Sequence, residues 1–250
     1  MDNTLYNILY KLSNELDTKD PESTNFILSA YLLKNFATIS EVSIYDIAAE
    51  CNVSRSTIRR FAKQIGFENF AVLKKLIKQY HHPVEQVSDK KYREMLTNSL
   101  INIANELDER MDTHEVDVIC ERIRRAENVY IFTSEPSISS ARDFQVNLAS
   151  KGYISYVITD FSEYNTILNQ ISHKDYVLTL SVSGMFARTI DSVIARLTCI
   201  LDLITANRIF DYEKDYSHVY YMSHLDYSKN PEIYRSYGLH YFLDIIQNHL

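Results

Sequence analysis

Residues 43–70, SIYDIAAECNVSRSTIRRFAKQIGFENF, decide how the chain is read. Apolar residues at Ile44, Ile47, Ala48 and Cys51 have the one-face spacing of a short helix, and Ile58, Phe61, Ala62 and Ile65 repeat that spacing after a break. The break is Asn52-Val53-Ser54. Asn52 tolerates the left-handed conformation that ends a helix, Val53 can plug the angle between two helices, and Ser54 is an N-cap residue for the second. The pattern predicts a helix-turn-helix. Beside its apolar stripe the second helix carries Arg55, Ser56, Thr57, Arg59, Arg60 and Lys63, with Ser54 at its entrance. Those side chains bind phosphates and base edges, so this is the candidate recognition helix.

Such geometry also occurs in proteins that never meet DNA, and a basic helix can simply face water. Charge discriminates between the two. From Val53 to Tyr80 seven basic residues stand against Glu68 alone, in a chain whose net charge is −7. A basic island in an acidic protein points to an anionic partner there, and double-stranded operator DNA is the expected one. The same stretch resembles the N-terminal domain of the RpiR family of bacterial transcriptional regulators. The resemblance is carried by Ser43, Ile44, Ile47 and Ala48, then Val53, Ser54, Thr57, Ile58, Arg60 and Phe61, then Ile65, Gly66, Phe67 and Phe70.

At 250 residues the chain is long enough for two cores, and 46% hydrophobic residues make it globular. No apolar run approaches the roughly 20 residues that span a bilayer. The N-terminus lacks a basic lead, apolar stretch and cleavage site, so a cytoplasmic protein with no membrane partner is expected. Cys51, Cys120 and Cys199 are odd in number, far apart and set in apolar patterns, which suits reduced thiols and gives no metal-ligand spacing. His81-His82 beside Pro83 reads as loop without metal partners, and neither a metal nor a cofactor is expected.

Helical spacing runs through Leu5, Ile8, Leu9, Leu12 and Leu16, then from a Ser23 or Thr24 cap to about Phe36, and again from Glu68 to Gln79. Residues 1–79 are therefore read as an all-α helix-turn-helix domain. Residues 80–91 break every period and contain Pro83, and are read as a linker. Beyond it, helices are expected over 92–111 and 112–125. Short apolar runs at 128–133, 154–158, 176–182, 198–205 and 219–222 then alternate with helices near 137–151, 164–170 and 188–197, before a closing helix at 233–250. That alternation predicts an α/β domain over 92–250, a parallel sheet flanked by helices.

In such sheets ligands bind beyond the carboxyl ends of strands. Two loops qualify, Thr133-Ser134-Glu135-Pro136-Ser137 and Ser181-Val182-Ser183-Gly184. Ser181 and Ser183 offer hydroxyls, and Gly184 permits close backbone approach to an anion. The order of domains is similar to the full RpiR arrangement, whose second domain is a SIS, or sugar isomerase, domain. That resemblance implies a phosphosugar effector held by Ser137, Ser181 and Ser183, with Thr189 in the following helix. The chain departs from the family where the first loop has no glycine and gains Glu135, and where Phe186 replaces a threonine. A fold retained for dimerisation with a changed pocket is the competing reading. Glu135 or His173 could serve an isomerase as general base, but no second titratable partner stands at a recognisable spacing. The sequence is thus read as a transcriptional regulator of sugar metabolism, a homodimer or homotetramer and not an enzyme. The alternatives are a sugar-phosphate isomerase with a helical appendage and a DNA-binding regulator without effector.

Overall fold

The computed structural model describes residues 3–18, 20–80, 88–111, 113–159, 168–227 and 233–250. The chain divides into two compact units, Met1–Gln86 and Val87–Leu250. Residues 81–87 of the expected linker, His81 and His82 among them, lie outside the described residues.

The first unit is helical, with α1 at Asn3–Thr18, α2 at Thr24–Lys34, α3 at Ile44–Glu50, α4 at Arg55–Gln64 and α5 at Phe70–Tyr80. Ser23 caps α2 by accepting from the Phe26 N–H at 3.2 Å. One core closes the unit, with Ile8 and Leu12 of α1 and Leu28 and Leu32 of α2 packed with Ile47, Ile58, Phe61, Leu73 and Ile77.

The second unit begins with α6, Asp89–Arg110, and α7, Thr113–Arg125. α6 starts inside the expected linker because Ser88 accepts from the Lys91 N–H at 3.4 Å. Its capped first turn is polar and so carries no apolar period. Five strands follow: β1 Val129–Thr133, β2 Ser155–Ile158, β3 Tyr176–Leu180, β4 Ile200–Thr205 and β5 His218–Tyr221. They form one parallel sheet in the order β2-β1-β3-β4-β5, with Val129 opposite both Ser155 and Tyr176 and Tyr176 opposite Ile200. Parallel strands buried on both sides read as continuous apolar runs, and every residue of β1 and β3 is buried.

On one face Ile131, Leu178 and Ile204 pack with Leu107 of α6, Ile119 of α7, Phe144 of α8 (Ile138–Ser150) and Leu243 of the closing helix Leu239–His249. On the other face Phe132, Val177 and Leu203 pack with Ala187, Ile190, Ile194, Tyr212 and Tyr216. Two details depart from the sequence reading. The closing helix is preceded by a π-helical turn, Tyr234–Gly238. The expected helix at 188–197 is two short ones, α9 at Met185–Thr189 and α10 at Asp191–Ile194. Ala187, Ile190 and Ile194 still face the core in helical register, so apolar spacing runs straight across the break. The expected helix near 164–170 lies largely outside the described residues.

Candidate functional site

The helix-turn-helix is built by four local devices. Ser43 caps α3, accepting from the Asp46 N–H at 3.1 Å and donating its hydroxyl to the Asp46 carboxylate at 2.7 Å. α3 ends with Asn52 at φ 51°, and the Val53 and Asn52 N–H groups return to the Ala48 and Ala49 carbonyls at 2.9 and 3.2 Å. That is the two-bond Schellman closure. Ser54 caps α4 by accepting from the Thr57 N–H at 3.1 Å, its Oγ also lying 2.6 Å from Ser56 Oγ and 2.8 Å from Thr57 Oγ1. α4 closes as α3 does, with Gly66 at φ 86° and Phe67 N–H on the Ala62 carbonyl at 2.8 Å. The left-handed residue explains Gly66, and burial against the core explains Phe67 behind it.

These caps fix the outer face of α4. Ile58, Phe61 and Ala62 are buried, while Arg55, Ser56, Arg59, Arg60 and Lys63 are exposed and Thr57 is half-buried in the cap. No salt bridge holds Arg55, Arg59, Arg60 or Lys63 among the described residues. Arg59 and Lys63 line a groove of about 690 Å³ with Ile44, Lys74, Glu68 and the first residues of α5. Asn69 caps α5 there, accepting from the Val72 N–H at 3.0 Å, and Lys74 donates to the Val42 carbonyl at 2.5 Å. The groove therefore joins three cations and a helix N-terminus beside the recognition helix, surroundings suited to a phosphodiester.

In the second unit β1 and β3 are adjacent, so the loops after Thr133 and Leu180 meet at the carboxyl edge where the strand order reverses. Ser137, Ser181, Ser183 and Gly184 are all buried there. Ser137 opens α8 without a side-chain cap, and the first N–H of that helix, from Ile138, is taken by the Glu135 carbonyl of the preceding turn. The second loop is more occupied. Ser181 Oγ accepts from the Ala187 N–H at 3.1 Å, and the Gly184 N–H donates to the Ser181 carbonyl at 2.8 Å. The Tyr212 hydroxyl donates to the Gly184 carbonyl at 3.3 Å and the Asn207 amide to the Ser183 carbonyl at 3.0 Å. Burial pushes the Tyr212 hydroxyl well above its ordinary range, so it stays a neutral donor. Thr189 is exposed, and its hydroxyl donates to the Phe186 carbonyl at 2.7 Å, within its own turn. Ser137 and the loop carrying Ser181, Ser183 and Gly184 thus follow neighbouring strands at one edge of the sheet, while Thr189 is exposed and bonded within its own turn.

Sequence reasoning missed Asn207 and Tyr212, which follow β4 and cover Gly184. The position of β4 beside β3 was the available signal, since a third loop must reach the same edge. It also missed Glu106 of α6, which accepts from Ser223 Oγ at 2.5 Å, from the His224 N–H at 2.8 Å and from the Tyr234 hydroxyl. Although burial works against it, those donors hold the Glu106 carboxyl below its ordinary range. The π-helical turn held by Glu106 packs on the Glu135–Ser137 turn of the first loop.

A capped helix-turn-helix with a cationic outer face, followed by a doubly wound α/β unit, defines a two-unit architecture of DNA-binding type. Residues 7–83 match the helix-turn-helix domain of the rpiR family. The HTH-type transcriptional regulator GlvR of Bacillus subtilis is 24% identical over 161 residues, 64% of this chain and 61% of the relative. The match thus spans about three-fifths of that relative's length. Among solved structures, the Vibrio vulnificus NanR protein complexed with ManNAc-6P superposes with a TM-score of 0.56 at 15% identity, over 97% of this chain and 90% of that one. The sugar isomerase domain of an RpiR transcription factor from Sphaerobacter thermophilus gives a TM-score of 0.53 at 16% identity, over 63% of this chain and 88% of that one. The second unit accordingly has the sugar isomerase fold. No helix among the described residues is long and apolar enough to cross a membrane.

Proposed function

We propose that this chain is a cytoplasmic transcriptional regulator of sugar metabolism that binds operator DNA through α4 and senses a phosphosugar through its second unit. The observation that carries the DNA reading is the capped α4 face, where Arg55, Arg59, Arg60 and Lys63 stand exposed without ion pairs among the described residues. The rpiR match and the regulator GlvR support it, and they argue for regulation in place of catalysis. Ser54, Ser56 and Thr57 set the entrance of the helix, Arg55 lies where base edges are met, and Arg59, Arg60 and Lys63 grip the backbone. A single recognition helix covers one half-site, so a homodimer or homotetramer is part of the same reading.

The effector reading rests on the shared fold with NanR, a protein seen with ManNAc-6P, and on the loops of Ser137 and of Ser181, Ser183 and Gly184 following neighbouring strands at one sheet edge. Because Ser181 already caps Ala187 and Tyr212 covers Gly184, ordinary hexose phosphates are expected to bind weakly. An effector acts by binding the DNA-competent and incompetent forms unequally. The test is an anisotropy titration of duplex DNA across salt. A log-log slope of about −0.9 per neutralised phosphate is expected, and a slope near zero would remove DNA as the partner.

A further inference from the structure

Tyr45, the second residue of α3, is 63% exposed and takes no place in the core of its unit. Its ring lies under the Arg55 guanidinium, whose central carbon is 4.5 Å from the ring centroid. Both partners are fixed at the backbone, Tyr45 by the Ser43 cap and Arg55 by the Ser54 cap. Asp46, next to Tyr45, accepts the Ser43 hydroxyl, and no salt bridge holds Arg55 among the described residues. Arg55 is therefore steadied by a neutral aromatic face and not by a carboxylate. The distinction matters chemically. A carboxylate would take the in-plane N–H fork and cancel the charge, whereas a ring face holds the cation without accepting in-plane hydrogen bonds from the fork. A planar, preoriented fork on the first turn of a recognition helix matches the O6 and N7 acceptors of guanine in the major groove.

We propose that Tyr45 is a specificity-determining positioning residue that orients Arg55 for bidentate recognition of a guanine in the operator half-site. The proposal rests on the DNA reading above. Its test begins by selecting duplexes from a random pool with the full-length wild-type protein. Affinities are then measured for the selected duplex, a scrambled duplex, and the selected duplex with each guanine in turn replaced by 7-deazaguanine. Tyr45→Ala is expected to weaken the selected duplex about fivefold and the scrambled one by less than about twofold, with unchanged thermal melting. Tyr45→Phe keeps the ring face and is expected to behave as wild type. In an Arg55→Ala background Tyr45→Ala should add nothing, and both variants should become blind to the same 7-deazaguanine position. An undiminished Tyr45→Ala effect in that background, or an equal loss on both duplexes, would overturn the proposal while leaving DNA binding intact. Failure of the wild type to enrich any duplex would instead remove the DNA reading, and this proposal with it.

Discussion

In the first unit Arg59, Arg60 and Lys63 stand in water with no salt bridge among the described residues, whereas in the second the half-buried Arg122 and the buried Tyr176 both bond Asp202 within the sheet. Asp202 on β4 is fully buried, bonded by the Arg122 guanidinium of α7 and by the Tyr176 hydroxyl at 2.7 Å. The same contrast holds at the candidate sites. α4 offers its polar groups outward, while the loop at Ser181–Gly184 spends several of its own on Ala187, Asn207 and Tyr212. Exposed cations cost the free protein little and remain available to a partner, but a buried carboxylate tied to its own cation is part of the fold itself.

The comparison breaks hardest at Arg122. Arg122→Ala leaves a buried carboxylate without its cation, and a loss of about 3–5 kcal/mol is expected in urea unfolding followed by circular dichroism. Arg60→Ala should change the same measurement by less than about 0.5 kcal/mol. If the two losses are alike, the division between inward and outward charge is not real.

Two left-handed glycines sharpen it next. A methyl on Gly184, at φ 77°, would run into the Tyr212 hydroxyl and approach Asn207 Cβ to 2.7 Å, both in a packed loop. On Gly66, at φ 86°, it would meet only the movable end of Lys11. We expect Gly184→Ala to cost about 3 kcal/mol and Gly66→Ala about 1 kcal/mol, the latter being backbone strain alone. Equal costs would mean that Tyr212 and Asn207 give way, and that the loop at Ser181–Gly184 is looser than its contacts indicate.

Lys63→Ala probes the outward side. It should weaken selected and scrambled duplexes alike by a few-fold at about 0.1 M salt and flatten the salt slope by about one unit, with no effect on stability. A loss confined to the selected duplex would make Lys63 a reader and not a grip.

The smallest effect is expected in acid. The Glu106 carboxyl is held below its ordinary value, so its stabilisation is fully present above the unfolded-state value near 4.5 and is lost as pH falls through the folded one. Glu106→Gln should therefore flatten the pH dependence of unfolding below about pH 4.5. A profile that matches wild type there would show that the three donors around Glu106 do not favour its charged form.

The first unit was legible because its instructions are local. Ser43, Ser54, Asn52 and Gly66 each act on groups within a few residues, and each is a residue type with a narrow set of uses. The strands of the second unit were legible for a related reason, since burial on both sides makes each a short continuous apolar run. The contents of the candidate ligand edge were not. Tyr212 and Asn207 reach Gly184 and Ser183 only once β3 and β4 lie side by side. Arg122, Tyr176 and Asp202 are likewise distant in the chain, and nothing near any of them marks it as a partner. Tyr45 was hidden differently: an exposed tyrosine on a short helix has no periodicity to betray it, and only the 4.5 Å stack on Arg55 gives it a purpose.

The strand order also has a consequence in time. β1 lies inside the sheet, and Val129 cannot complete its pairing until Tyr176 has been made, while the closing helix at Leu239–His249 supplies one face of the core last of all. The first unit needs nothing beyond Gln86 to close its own core. At a synthesis rate of about 5–20 residues per second the remaining chain takes on the order of ten to thirty seconds to appear. We predict that nascent chains arrested before β3 is complete already retain duplex DNA, and chains that do so only after full-length release would refute this. The proposed DNA-binding head would then exist, for each new molecule, some seconds before the unit proposed to sense an effector.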